Sequence, residues 1–390
     1  MDERRLLSER LALCALCGRC KKDCPTYLKE QNEARSPRGR LLLLYETARG
    51  RAEIDQSIVD RLYSCLLCGA CDGVCPSGVD TLGALIRGRS FLRGYDKRAV
   101  LLRKALSIGV KRPLLSFRLF STFKELLGRF LVKKGLIHEG LDLDMPPLQR
   151  IGSVFEPLTG KKRGRVVLFT GCAVRYLYPY LGQSFISVMN SLGFEVVVQK
   201  KEYCCGAPLL SLGLLKETEE LARKNLESFR SLKADGVVSL CPTCVTVSTT
   251  LYRRLFGDSL EMVLFDDFIK EYSLPGQGVD TEVFYHSACH RRFAGGDETT
   301  VQLIERQGAM VKGRSSGCCG HGGGYSFRHP DRAGLILKER REEFVEADAD
   351  VVVTSCPGCM FQLSKAVEHE RVIHTVELIE EAIQERKAED

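Results

Sequence analysis

The sequence predicts a helical domain organised by two four-cysteine runs, followed by two copies of an α/β domain with parallel sheets. Three observations carry that expectation. All 18 cysteines fall into four groups. Beyond residue 165 short apolar runs alternate with amphipathic helices, and one cysteine pattern occurs there twice at nearly constant offset.

The first two groups are copies of the run C-x2-C-x2-C-x3-C-P: Cys14, Cys17, Cys20 and Cys24 before Pro25, then Cys65, Cys68, Cys71 and Cys75 before Pro76. This is the spacing of a ferredoxin-type pair of 4Fe-4S clusters, in which three cysteines wrap one face of a cluster and the fourth ligates its neighbour. The expected ligand sets are therefore crossed: Cys14, Cys17, Cys20 and Cys75 for one cluster, and Cys65, Cys68, Cys71 and Cys24 for the other. Structural zinc also uses C-x2-C pairs. Two pairs suffice for zinc, however, whereas here a third cysteine and a fourth before proline occur twice. Helical stretches are expected at residues 40–48 and 57–63, within a domain spanning residues 1–96.

The remaining ten cysteines form two copies of a longer pattern, a single Cys, then Cys-Cys-Gly, then C-P-x-C. The first copy is Cys172, Cys204, Cys205, Cys241 and Cys244; the second is Cys289, Cys318, Cys319, Cys356 and Cys359. Corresponding cysteines are offset by 117 (172 to 289), 114 (204 to 318) and 115 (241 to 356) residues, which reads as a duplication. Around them VVLFTGC, EVVVQ and GVVSLCPTC, and then EVFYHSAC, MVKG and DVVVTSCPGC, read as strands. The helices between them are expected near residues 180–192, 214–232, 298–307 and 331–347. Domains are placed at 164–278 and 279–390. Cys172, Cys241, Cys289 and Cys356 fall at strand carboxyl ends, where parallel α/β sheets gather ligands. Five thiolates exceed the demand of one tetrahedral zinc ion, which favours a cluster at each set. His290 and His321 lie beside ligands, able to donate hydrogen bonds to sulfur or to move protons, or simply to sit satisfied or exposed.

The formal net charge of +7 is unevenly spread, because between Lys97 and Lys134 eleven Lys or Arg residues face one acid, Glu125. Residues 97–163 thus form a basic, roughly helical connector without ligands, ending in a linker punctuated by Pro and Gly. Either it presents a solvated helical face, or it docks on an acidic partner or an anionic membrane surface. No nucleic-acid motif accompanies the charge. The amino-terminal stretch MDERRLLSERLALC lacks the apolar core of a signal peptide, and the longest aliphatic run, Leu41 to Leu44, is far too short to span a membrane. A cytoplasmic protein is expected, with membrane contact peripheral at most and its cysteines reduced.

The stretch CALCGRCKKDCPTY, followed by SPRGRLLLLYETARG and CLLCGACDGVCPSGV, resembles the iron-sulfur subunit of glycolate oxidase and related D-2-hydroxyacid dehydrogenases. FTGCAV to CPTC and YHSACH to CPGC resemble the repeated domain which that subunit shares with the B and D subunits of heterodisulfide reductase. The likeness covers about residues 10–95 and 165–385 and leaves the basic connector unmatched. It implies electron transfer between a flavoprotein subunit and a quinone, membrane cytochrome or other carrier. Both five-cysteine sets are complete, as in heterodisulfide reductase, where such cysteines hold noncubane 4Fe-4S clusters. One or two further clusters are thus implied, and Cys204, Cys205, Cys318 and Cys319 become catalytic if the chain reduces disulfides. GHGGGY at 320–325 matches neither a P-loop nor a dinucleotide fingerprint, so no flavin or nicotinamide is expected on this chain.

Overall fold

The structure, a computed structural model, describes residues 3–97, 99–111, 131–135, 137–138, 141, 147–148, 153–158, 162–272, 274, 278–293, 295–315, 317–367 and 371–389. The described residues form two compact units, the first drawn from Met1–Ser116, Gly206–Glu220 and Gly320–Ile336, the second from Phe117–Cys205, Leu221–Cys319 and Leu337–Asp390. Most of the basic connector, with Arg112, lies outside the described residues.

The first unit is helical. Its principal helices are Glu3–Leu11, Pro37–Ala48, Gln56–Tyr63, Thr81–Leu92 and Val100–Lys111. Three of these starts are written locally: Ser36, Asp55 and Asp80 accept from the backbone N–H of Gly39, Ile58 and Gly83, pairing donors that a helix amino end otherwise leaves unsatisfied. The apolar faces close on a core that includes Leu7, Leu41, Leu44, Val59, Leu62 and Leu92. Gly39 is required by close approach, since a Cβ there would stand 2.0 Å from the Glu33 carbonyl oxygen.

Arg103, in the basic segment, is buried rather than presented to a partner. Its guanidinium meets Asp96 Oδ2 at 2.6 Å, while Lys111 reaches Glu220 at 3.2 Å. Buried as it is, Arg103 would be costly to leave without its carboxylate, which ties it to this internal pairing rather than to an exposed docking role.

The second unit holds two sheets. The first comprises β1 (Val154–Phe155), β2 (Gly164–Phe169), β3 (Phe194–Val198), β4 (Gly236–Ser239) and β5 (Val263–Leu264), in the order β1-β3-β2-β4-β5. The second comprises β6 (Glu282–His286), β7 (Met310–Ser315), β8 (Val351–Thr354) and β9 (Arg371–His374), in the order β7-β6-β8-β9. Every pairing is parallel except that of β1 with β3. Without β1, the strand orders correspond element for element, so the duplication seen in the cysteine spacing is a duplication of topology. Intervening helices Pro179–Ser191, Leu215–Arg230, Glu298–Arg306 and Pro330–Ala347 fall where the apolar periodicity places them. One apolar core runs through both copies, joining Val166, Leu168, Phe185 and Phe265 with Leu303, Phe361, Val376 and Ile379.

Candidate metal centres

In the helical unit the two cysteine runs adopt the same unusual backbone. Leu16 and Leu67 have φ of 53° and 54°, and Gly18 and Gly69 have φ of 81° and 72°. Left-handed leucines are strained, and their recurrence at equivalent positions marks a loop curled for a purpose. Such a curl turns successive thiols and backbone N–H groups toward one centre. Gly18 is needed twice over, because a Cβ there would lie 2.7 Å from Arg38 Nη1, which donates to the Leu16 carbonyl.

Cys65, Cys68 and Cys71 line one cavity, and the fourth cysteine lining it is Cys24 from the other run. Arg40 lines it as well. Cys14 of the first run and Cys75 of the second edge the same apolar core, and Cys20 lies close enough to Cys14 and Cys24 to feel their charge. Cys17 is exposed. Burial is the main influence raising the Cys20 and Cys71 thiols above their ordinary range.

The ten other cysteines all follow strand carboxyl ends in the second unit. Cys172 and Cys289 come after β2 and β6, the adjacent pairs Cys204–Cys205 and Cys318–Cys319 after β3 and β7, and Cys241 and Cys356 after β4 and β8. Cys241 and Cys356 also cap the helices Pro242–Val245 and Pro357–Leu363, which carry Cys244 and Cys359. The proline after each capping cysteine is at the helix start, where its missing N–H costs nothing.

Their thiols form one pair and one longer chain of contacts. Cys172 pairs with Cys204. Cys205 accepts from Cys244 at 3.5 Å. From Cys244 contacts run through Cys241, Cys356, Cys359, Cys319 and Cys318 to Cys289. The two five-cysteine sets therefore adjoin through Cys241 and Cys356, a convergence the spacing does not reveal.

The surroundings hold the loops in place. Glu202 accepts from the backbone N–H of Thr170 at 3.0 Å and of Gly171 at 2.7 Å, tying the turn before Cys172 to the segment before Cys204. Asn225 accepts from Tyr203 N and donates to its carbonyl, and Tyr252 donates to the Cys205 carbonyl at 2.8 Å. Gly206 and Gly320, the glycines of Cys-Cys-Gly, have φ of 89° and 86°, a conformation that ordinary side chains resist.

Cys241 and Cys319, each accepting from two thiols, are drawn well below the ordinary thiol range, and Cys289, accepting from Cys318, down to about 6. Donation to neighbouring sulfurs raises Cys172, Cys244, Cys318 and Cys359. A dense group of thiols cannot all ionise unless a cation compensates them, which is the chemistry of a metal site.

Of the histidines flanking ligands, His290 shares a 2.9 Å hydrogen bond with Thr243 through Nδ1, and His321 Nδ1 lies 3.4 Å from Ser326 Oγ. Sequence reasoning misses His286 at the end of β6. It is fully buried, and its ligand nitrogen lies with the sulfurs of Cys319 and Cys359 within 4.8 Å of one another. Neither ring nitrogen has a partner of hydrogen-bond geometry. Aligning the copies would expose it: three residues before Cys289 stands His286, whereas three before Cys172 stands Phe169.

Comparison with known proteins finds two kinds of domain that hold these cysteines. The family described as "Cysteine-rich domain" matches residues 166–247 and 283–364, and "4Fe-4S dicluster domain" matches residues 10–79. The chain thus carries one iron-sulfur dicluster domain and two cysteine-rich domains. It is 26% identical to the probable glycolate oxidase iron-sulfur subunit of Bacillus subtilis, over 98% of this chain and 95% of that one. It is 28% identical to the D subunit of dihydromethanophenazine:CoB–CoM heterodisulfide reductase from Methanosarcina acetivorans, over 89% of this chain and 86% of that one. A crystal structure of a hypothetical protein from Helicobacter pylori shares the fold alone, with 9% identity and a TM-score of 0.50, covering 91% of this chain and 69% of that one.

The residues present fit iron-sulfur clusters. Four sulfurs from both runs around one cavity, and buried thiols in excess of what a single zinc ion takes, suit multi-iron centres. When bound, such clusters accept and release single electrons. The chain's own task is to converge the thiols, fix their loops and shield them from water.

Proposed function

We propose that this chain is the electron-transfer subunit of a flavoprotein-containing oxidoreductase complex. Electrons from oxidation of a glycolate- or D-lactate-type 2-hydroxyacid on the flavoprotein subunit pass through its clusters, one at a time, to a quinone or other carrier. Cys65, Cys68, Cys71 and Cys24 hold one cluster of the helical unit, and Cys14, Cys17, Cys20 and Cys75 hold the other. The two five-cysteine sets hold further clusters. The observation that carries this reading is the joining of Cys24 to the cavity of the second run, because exchanged ligands are what keep two clusters within electron-transfer range of each other. Similarity to a glycolate oxidase iron-sulfur subunit along nearly the whole chain supports the substrate class.

A second reading is supported by the contact of Cys241 with Cys356. Two complete thiolate sets that adjoin suit two-electron chemistry at a disulfide, with Cys204, Cys205, Cys318 and Cys319 in catalytic positions, as the similarity to a heterodisulfide reductase subunit suggests.

Reconstitution separates the two. The relay requires that the purified chain alone oxidise no hydroxyacid, that a flavoprotein partner restore dye-linked oxidation, and that Cys205→Ser or Cys319→Ser slow that transfer. Turnover of a low-molecular-weight disulfide by the chain with dithionite, abolished in the same variants, would overturn the relay in favour of disulfide reduction.

A further inference from the structure

Arg40, the last residue of the SPRGR motif, is fully buried in the helical unit. Its Nε donates to the Arg61 carbonyl at 2.9 Å, and Nη2 donates to Thr26 Oγ1 and to the Ser64 carbonyl, each at 3.0 Å. Thr26 Oγ1 in turn lies 3.3 Å from Cys24 Sγ, and Ser64 directly precedes Cys65. One guanidinium thus grips both segments that bring cysteines to the shared cavity.

Two further facts set Arg40 apart from a structural clamp. Its Nη1 is buried without a hydrogen-bond partner, and Arg40 lines the cavity beside Cys24, Cys65, Cys68 and Cys71. Among the described residues no carboxylate pairs with it. Nearby Arg89, 2% exposed, is also without a carboxylate, and donates to the carbonyls of Leu62, Tyr63, Cys65 and Ser211. Two buried cations without counter-charge are costly unless an anion completes the site. Four cysteine thiolates around iron and sulfide supply one, and each electron added makes it more negative.

We propose that Arg40 is the counter-cation of the cluster held by Cys24, Cys65, Cys68 and Cys71, and that its charge sets that cluster's reduction potential. The proposal rests on those four residues holding a cluster and does not depend on the direction of electron flow. Arginine stays charged at all working pH values, so uptake of one electron is eased by a fixed charge without an accompanying proton. Removing that charge makes the cluster harder to reduce.

The test is a redox titration of the anaerobically purified full chain, with dithionite as reductant and paramagnetic resonance as readout, after iron analysis confirms loading. Arg40→Gln is expected to make reduction of this cluster about tenfold less favourable, a fall of about 59 mV for a one-electron couple. Arg40→Lys, which keeps the charge and loses the fork, is expected to recover most of the shift. The cluster on the Cys14 run serves as the internal control. An unchanged potential in loaded Arg40→Gln, or equal shifts in both variants, overturns the proposal. If Arg40→Gln cannot load the cluster, loading by Arg40→Lys upholds the charge role, and equal loss in both reduces Arg40 to a structural clamp. Absence of iron at this site in the unmodified chain would instead refute the ligand assignment.

Discussion

Cys241 and Cys356, 115 residues apart in the sequence, bring their thiols close enough to shift each other's ionisation in the second unit. Each follows the equivalent strand of its sheet, β4 or β8, and each caps the helix that supplies the next thiol of its set. Duplication alone would give two separate centres. The continuous core and the contact of these capping cysteines make them neighbours instead, so that a charge at one set is felt at the other.

Cys356→Ala should therefore disturb the signals of both cysteine-rich sites, whereas Cys172→Ala, whose thiol contact is with Cys204, should disturb only the first. Mössbauer and paramagnetic resonance spectra of anaerobically purified variants make the comparison. Independent behaviour of the two sites in Cys356→Ala would contradict the coupling.

Iron content follows from the ligand sets. About eight irons are expected in the helical unit, with up to about eight more if both five-cysteine sets carry four-iron clusters. Cys24→Ala should remove the cluster of the Cys65 run, whose cavity Cys24 lines, and leave that of the Cys14 run spectroscopically intact. Loss confined to the Cys14 cluster would show each run to be self-contained, and stoichiometric zinc with residual iron would refute the electron-carrier reading altogether.

Most of this architecture is legible in the chain itself, because it rests on local rules. Capping residues such as Ser36 and Asp55 announce helices, apolar runs such as VVVT announce buried parallel strands, and cysteines after strands announce a site. What escapes is set by tertiary packing. The antiparallel edge strand β1 is only two residues long and carries no pattern of its own. The meeting of Cys241 with Cys356 depends on how two sheets share a core. The basic stretch misleads for a related reason: charge counts along the chain do not show that Arg103 turns inward to Asp96. The SPRGR motif is visible as a family mark, but its physical meaning, a helix cap, a close glycine and a buried cation, needs the fold.

Asp96 is the electrostatic keystone of the helical unit. Its buried carboxylate receives Arg103 at 2.6 Å and both terminal nitrogens of Arg328, at 2.6 and 3.0 Å. Asp96→Asn leaves buried Arg103 without its carboxylate and Arg328 with Asp60 alone, and should lower stability by about 3–5 kcal/mol, measured as a shift in the urea midpoint. A change within experimental error would mean that water reaches the pair. Asp60, whose contact with Arg328 is longer at 3.2 Å and more exposed, should tolerate the same change at about 1 kcal/mol or less.

Stability of the second unit should carry a pH signature from Glu377. Burial, opposed by the His374 N–H and by Arg371, pushes its carboxyl up from 4.5 to about 7. Between those values the folded chain binds more protons than the unfolded chain, so this residue's contribution falls as pH rises and levels off above about 7. The full effect is about 3 kcal/mol, from 1.36 kcal/mol per pH unit. Glu377→Gln keeps an acceptor for the His374 N–H, 2.7 Å away in the native side chain, and has no proton to lose. Urea midpoints of both proteins at pH 5 and pH 8 should thus show the variant gaining on the native chain as pH rises. An equal pH slope in the two proteins would mean that Glu377 is ionised throughout, its charge solvated or held by Arg371.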